Sequence, residues 1–264
     1  MGLNEVLMKV FEERITRTEV FTESFKLMYP IVKEEVTKMK RELNERYLAL
    51  VKDLKNLDWR SLLQLSALAN SIDYEMKWVT VNSEPMNSDE RSFGFLDPEA
   101  LSLLDNAKSV ALLLDNAGEA VVDIVLALKL VTVGKDVVLI AREEPYEVDV
   151  TVEEVRKLMS EIAENLGETP LINFVKVIST GSNYPAFAVR NRDVSELLLK
   201  VDAIISKGIA NLEAALDFGF PEKHKVVVAL RAKCPPIAEL MKVPLGAPVI
   251  KLMSRVQEVV EGLR

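Results

Sequence analysis

Apolar positions along this chain change their period once. Through residues 1–78 they recur at helical spacing: Val32, Val36, Met39 and Leu43 form one stripe, and Glu34, Glu35, Lys38 and Lys40 cover the other side. Pro30 marks a helix boundary or first turn in this reading. Asp58 is placed to cap a further helix through Leu62, Leu63, Leu65 and Leu68. No strand pattern occurs here, so the segment reads as an all-helical subdomain. Residues 82–92 are polar and aperiodic, which suits a linker or mobile loop. Asp97-Pro98-Glu99 then starts a short helix with a cap followed by proline.

From Ser109 onward short apolar runs alternate with helical stretches. The strand candidates are 110–114, 136–141, 174–179, 202–206, 225–230 and 248–252. The helix candidates are 119–133, 152–165, 194–200, 209–218 and 236–241. This rhythm predicts an α/β fold with a doubly wound, mostly parallel sheet. The expected organisation is a helical subdomain over 1–92 and a metal- and phosphate-binding α/β domain over 93–264.

Composition narrows the chemistry. The chain has 264 residues, a net charge of -8 and no basic stretch, so neither nucleic acid nor an anionic membrane is expected as partner. One Cys, Cys234, excludes an internal disulfide and points to a reducing, cytoplasmic compartment. With His224 as the single His, zinc sites built from Cys and His are excluded. Any metal must be held by oxygens, which suits Mg²⁺, Mn²⁺ or a similar ion. Residues 1–5 lack the basic and apolar regions of a signal peptide. No feature of the sequence sets the oligomeric state.

In a parallel sheet the carboxyl ends of the strands share one edge, where open α/β folds bind their ligands. Four predicted strand ends bring polar groups there. Asp115-Asn116 precedes Gly118 and Glu119, and its oxygens either ligate a divalent cation or cap the helix that follows. Asp149 lies before a capping box, Thr151-Val152-Glu153-Glu154, and is left over in a loop that also holds Glu143, Glu144 and Glu147. Gly181, Ser182 and Asn183 lie in a hydroxyl-rich turn that is either plain or able to wrap a phosphate. Lys207-Gly208, with Asn211 and Glu213 beyond, joins a strand end to a helix start, where an anion can be neutralised. There is no P-loop ending and no Gly-x-Gly-x-x-Gly. His224 falls in a polar loop on the opposite edge, and Cys234 begins a helix on the functional edge.

Taken together, Leu-Leu-Leu-Asp115-Asn116-Ala-Gly118-Glu119, Asp149-Val-Thr, Ile-Ile-Ser-Lys207-Gly208-Ile-Ala-Asn211-Leu-Glu213 and Lys233-Cys234-Pro-Pro-Ile-Ala resemble the metal-dependent damage-control phosphatases, first catalogued as domain of unknown function 89. Ala69-Asn70-Ser-Ile-Asp73-Tyr is similar to the family's Gly-Asn-x-x-Asp-Phe element. The resemblance implies a Rossmann-like three-layer α/β/α domain beside the helices. It implies a divalent metal on Asp115, Asn116 and Asp149, with Mn²⁺, Co²⁺ or Ni²⁺ favoured over Mg²⁺. It also implies hydrolysis of small phosphorylated metabolites, such as sugar phosphates or damaged cofactor precursors, with Lys207 on the phosphate. The short archaeal and bacterial form often has a Cys-x-x-Cys pair near its start; this chain does not.

A dehalogenase-type phosphatase needs a second Asp two residues after its nucleophile, and here that residue is Ala117. A metal-activated water is therefore the expected nucleophile. Lys207 and the amides of 181–183 neutralise the phosphoryl oxygens, and Glu119 or Asp149 is the base. Asn70 and Asp73, three apart on one helix face, either satisfy a helix end with their own side chains or, as the resemblance favours, close over the site. The alternatives are a non-catalytic phosphometabolite-binding protein and a protein-carboxyl methyltransferase.

Overall fold

A computed structural model describes residues 15–69, 95–188, 191–219 and 222–262. Among these, seven strands form one sheet: β1 (Phe95–Leu96), β2 (Ser109–Leu113), β3 (Asp136–Ala141), β4 (Val175–Ser179), β5 (Ala203–Lys207), β6 (Val226–Arg231) and β7 (Pro248–Leu252). Their spatial order is β1-β7-β6-β5-β2-β3-β4. Only the β6–β7 pair is antiparallel. The expected doubly wound, mostly parallel sheet is thus the one the chain forms. The helices are α1 (Arg17–Leu48), α2 (Val51–Leu54), α3 (Trp59–Ala69), α4 (Pro98–Asn106), α5 (Glu119–Thr132), α6 (Val152–Leu166), α7 (Arg192–Lys200), α8 (Gly208–Phe218), α9 (Pro235–Met241) and α10 (Met253–Gly262).

The strands are apolar on both faces because both faces are covered. Val110, Leu112, Leu139 and Ile205 pack in one core with α3, α5 and α6. Ala111, Leu113, Ile140 and Ile204 pack in the other with α7, α8 and α9. This produces three layers. Helix α5 is buried almost all round, as a helix apolar on every side requires. It packs on the sheet with α1–α3 against it, and α3 also reaches β6 and β7 directly. Leu43, Val51, Leu54, Leu62 and Leu63 share its core, so α1–α3 have no separate interior there. A small satellite cluster of Phe25, Val36 and Tyr146 ties α1 to the loop after β3.

Three expectations need correction. Pro30 does not bound a helix; it lies inside α1. A proline there costs about 3 kcal/mol, and burial of Phe25 and Val36 on either side offsets that loss. Residues 169–174 are a 3₁₀ turn, so β4 starts at Val175. Two residues, Phe95 and Leu96, add an edge strand too short to leave a periodic signal. The 82–92 linker and the Asn70/Asp73 pair lie outside the described residues.

Candidate active site

The chain leaves β2 toward β3 and β4, then returns to place β5 on the other side of β2. A crevice therefore opens between the carboxyl ends of β2 and β5, the topological switch point where such sheets bind ligands. Asp115 emerges there from β2, and Gly208, the first residue of α8, emerges from β5. Gly208 has φ +72°, and a Cβ built on it would overlap the Asp115 carboxylate. The carboxylate thus lies against the helix start, whose partial positive charge and free N–H groups favour an anion.

Asn116 Nδ2 donates to Asp115 Oδ2 at 2.8 Å. The loops after β2 and β3 are stitched together by an isolated antiparallel bridge between Asn116 and Asp149. Val150 N–H donates to Asp115 O at 2.9 Å, and Ala117 N–H to Val148 O at 2.8 Å. The Asp115-Asn116 pair and the sequence-distant Asp149 are therefore neighbours, each only 3% exposed. Asp115 and Asp149 line a cavity of about 140 Å³. Tyr146 and Glu147, Arg17 and Phe21 of α1, Ile209, Ala210 and Glu213 of α8, and Cys234 complete its lining. Arg17 pairs with Glu213 at 3.0 Å. Glu147 is held at φ +43°, a conformation that L-residues keep only where the surroundings impose it.

Two carboxylates and one amide, buried and all oxygen, suit a hard divalent cation that keeps waters in its remaining positions. Among the described residues no three His, Cys, Asp or Glu side chains form a cation cage. The fit therefore rests on the Asn116 amide together with the two aspartates.

Asp149 has a partner that sequence reading misses. Arg142 Nε donates to Asp149 Oδ2 at 2.5 Å, and Nη1 donates to the Asn183 carbonyl. The guanidinium stacks 4.2 Å from the centroid of the Tyr146 ring. An arginine at a strand end carries no local mark of this role.

The other expected residues are placed differently. Alternation in β5 sends the Lys207 side chain to the α5 face, away from α8. It is fully buried, donates to Ser66 O at 2.8 Å, and lies 3.8 Å from both Glu119 Oε1 and Asp123 Oδ1. Ser66 Oγ also donates to Asp123. Burial pushes the Asp123 carboxyl above the usual carboxylate range, against the pull of Lys207 and Ser66. Lys207, Glu119 and Asp123 thus form a buried charge cluster, and none of them is among the residues that line this cavity. Asn211 Nδ2 donates to Leu114 O and Lys207 O, fastening α8 to the sheet. The 179–183 turn is likewise committed internally. Gly181 N–H donates to Ser179 Oγ, Ser182 Oγ accepts from Tyr184 N–H, and Asn183 Nδ2 reaches Thr22 O. It buttresses Arg142 instead of lining the cavity. His224 is exposed beside Glu222, as its loop position predicts.

The family model for the damage-control phosphatase ARMT1-like domain matches residues 13–249. The chain belongs to this family. Membership supports a phosphatase role. The chain is 29% identical over 222 residues to the damage-control phosphatase PH1575 of Pyrococcus horikoshii, a match covering 80% of this chain and 71% of that relative. It is 27% identical over 236 residues to the uncharacterized protein MJ0202 of Methanocaldococcus jannaschii, covering 84% and 72%. The crystal structure of the DUF89 family protein PH1575 superposes with a TM-score of 0.72 over 94% of this chain and 86% of that one. At 22% identity that likeness shows a common fold. No helix among the described residues is long and apolar enough to cross a membrane.

Proposed function

We propose that this protein is a divalent-metal-dependent phosphomonoesterase acting on small phosphorylated metabolites, sugar phosphates or damaged cofactor precursors, in the cytoplasm. One observation carries the reading: Asp115, Asn116 and Asp149 converge at the switch-point cavity, against the start of α8, in a chain of a damage-control phosphatase family. The two aspartates and the Asn116 amide would hold the ion, Mn²⁺, Co²⁺ or Ni²⁺ in preference to Mg²⁺. When bound, such an ion supplies Lewis-acid stabilisation of phosphoryl charge and lowers the pKa of water.

The protein's own residues supply the rest. Ile209 and Ala210 bring the first turn of α8 to the cavity, where backbone N–H groups receive phosphoryl oxygens. Glu147 and Glu213 are the wall carboxylates available to take a proton from water, whereas Glu119 pairs with Lys207 and is not among the lining residues. Arg17, Phe21 and Tyr146 enclose the leaving group and limit its size. Phosphate release from p-nitrophenyl phosphate tests the reading. Chelated protein should be inactive, and Mn²⁺ or Co²⁺ should restore turnover. Undiminished activity in chelator would remove the metal from the reading, and inactivity under all conditions would favour a binding protein.

A further inference from the structure

We propose that Arg142 is a positioning residue for the cation site: it locks Asp149 by one carboxylate oxygen so that the other is presented to the ion. The proposal rests on the metal-dependent reading above. Arg142 directly follows β3 and is 3% exposed, too deep to meet a substrate freely. Its side chain is fixed on three sides, by Asp149 Oδ2, the Asn183 carbonyl and the Tyr146 ring. Tyr146 is itself wedged against Phe25 of α1, with ring centroids 5.3 Å apart. The backbone of Arg142 closes the same loop, since Val152 N–H donates to Arg142 O at 2.9 Å. Residues 143–151 are therefore clamped at their base by the backbone and at Asp149 by the guanidinium.

Only a planar fork can serve Asp149 and Asn183 at once while stacking on Tyr146. Outer-shell partners of this kind typically change metal affinity 10- to 100-fold when removed. The sign of the effect separates positioning from plain electrostatics. Arg142 is a cation beside a cation site, so if only its charge mattered, removing it would tighten metal binding. If it orients Asp149, removing it weakens binding, and a lysine that keeps the charge but lacks the fork does not restore it.

The experiment is a calorimetric titration of the metal-free protein with Mn²⁺ alone, without substrate, for wild type, Arg142→Gln and Arg142→Lys. Melting curves accompany each titration. The expected result is a Kd raised about 10- to 100-fold in both variants. Wild-type or tighter Mn²⁺ binding by a folded Arg142→Gln variant overturns the proposal, and so does full rescue by lysine. In the wild-type protein the Arg142 Nε–H should stay protected from solvent exchange when Mg²⁺ is added. Loss of that protection overturns the proposal even if neither variant folds. A wild type that hydrolyses p-nitrophenyl phosphate but binds no Mn²⁺ would defeat the metal reading itself, a different outcome from wild-type binding by the variants.

Discussion

The first residue of α8, Gly208, lies so close to Asp115 that a side chain on it would occupy the space of the Asp115 carboxylate. The contact is between the ends of β5 and β2, the two strands that flank the switch point. It holds a carboxylate against the α8 N-terminus with no side chain between them. Gly208 also has φ +72°, which a residue with a Cβ adopts only with strain.

Gly208→Ala should therefore displace Asp115 and strain the backbone together. Left-handed strain alone costs on the order of 1–3 kcal/mol. We expect a lower melting temperature and a loss of p-nitrophenyl phosphate turnover of at least tenfold. Wild-type turnover in this variant would show that Asp115 does not need its present place.

Asp115→Ala separates function from stability. Asp115 shares its cavity with Glu147, Asp149 and Glu213, so without metal it adds like charge to a crowded wall. Turnover should vanish, and in chelator the variant should melt no lower than wild type. A large drop in melting temperature would mean that the carboxylate serves the fold.

The buried cluster of Lys207, Glu119 and Asp123 predicts a pH effect. Burial raises the pKa of Asp123 in the folded protein, with Lys207 and Ser66 opposing. The folded state then binds more protons than the unfolded state once pH exceeds the usual carboxylate range. The corresponding stability is complete below that range and is lost as pH rises through the raised pKa. Asp123→Asn removes this titration while leaving Lys207 near Glu119. The melting temperature of the variant relative to wild type should therefore increase between pH 4.5 and pH 8. A constant difference across that interval would show that Asp123 titrates normally.

Much of this arrangement is legible in the sequence, and the illegible parts have a common cause. Strands β2, β3, β5, β6 and β7 announce themselves because burial on both faces makes each a mostly apolar run, interrupted inside β7 by Lys251. The strand-end position of Asp115 and Asn116, and the place of Asp149 in the loop after β3, follow from the same rhythm. The side to which Lys207 points does not, because one step of alternation chooses between the cavity and the core. Arg17 and Phe21 acquire their roles from residues far off in sequence, and Arg142 from a loop conformation fixed by contacts with Asn183 and α1, so no local pattern marks them. Pro30 misleads because a helix packed on either side of a proline survives the missing hydrogen bond.

Helix α1 contributes Arg17 and Phe21 to the lining of the cavity. Thr16 caps that helix, and Thr18 belongs to its first turn, where backbone N–H groups have no partner within the helix. Asp217 of α8 supplies one: its Oδ2 accepts from Thr18 N–H at 2.9 Å and from Thr18 Oγ1 at 2.7 Å. A carboxylate at a helix start is also favoured by the helix dipole. The Arg17–Glu213 pair joins the same two helices one turn away, but Arg17 is 62% exposed in its side chain, so that pair is the weaker link. Hydrogen bonds to a charged group contribute about 1.5–3 kcal/mol each. Asp217→Ala should therefore loosen the start of α1, which carries Arg17 and Phe21 of the cavity wall. Asp217 is not itself among the cavity-lining residues, so KM for p-nitrophenyl phosphate should rise several-fold while kcat changes less than twofold. Limited proteolysis should cut first near residues 15–20. Unchanged KM together with protease sensitivity there would show that α1 closes the fold but takes no part in holding substrate.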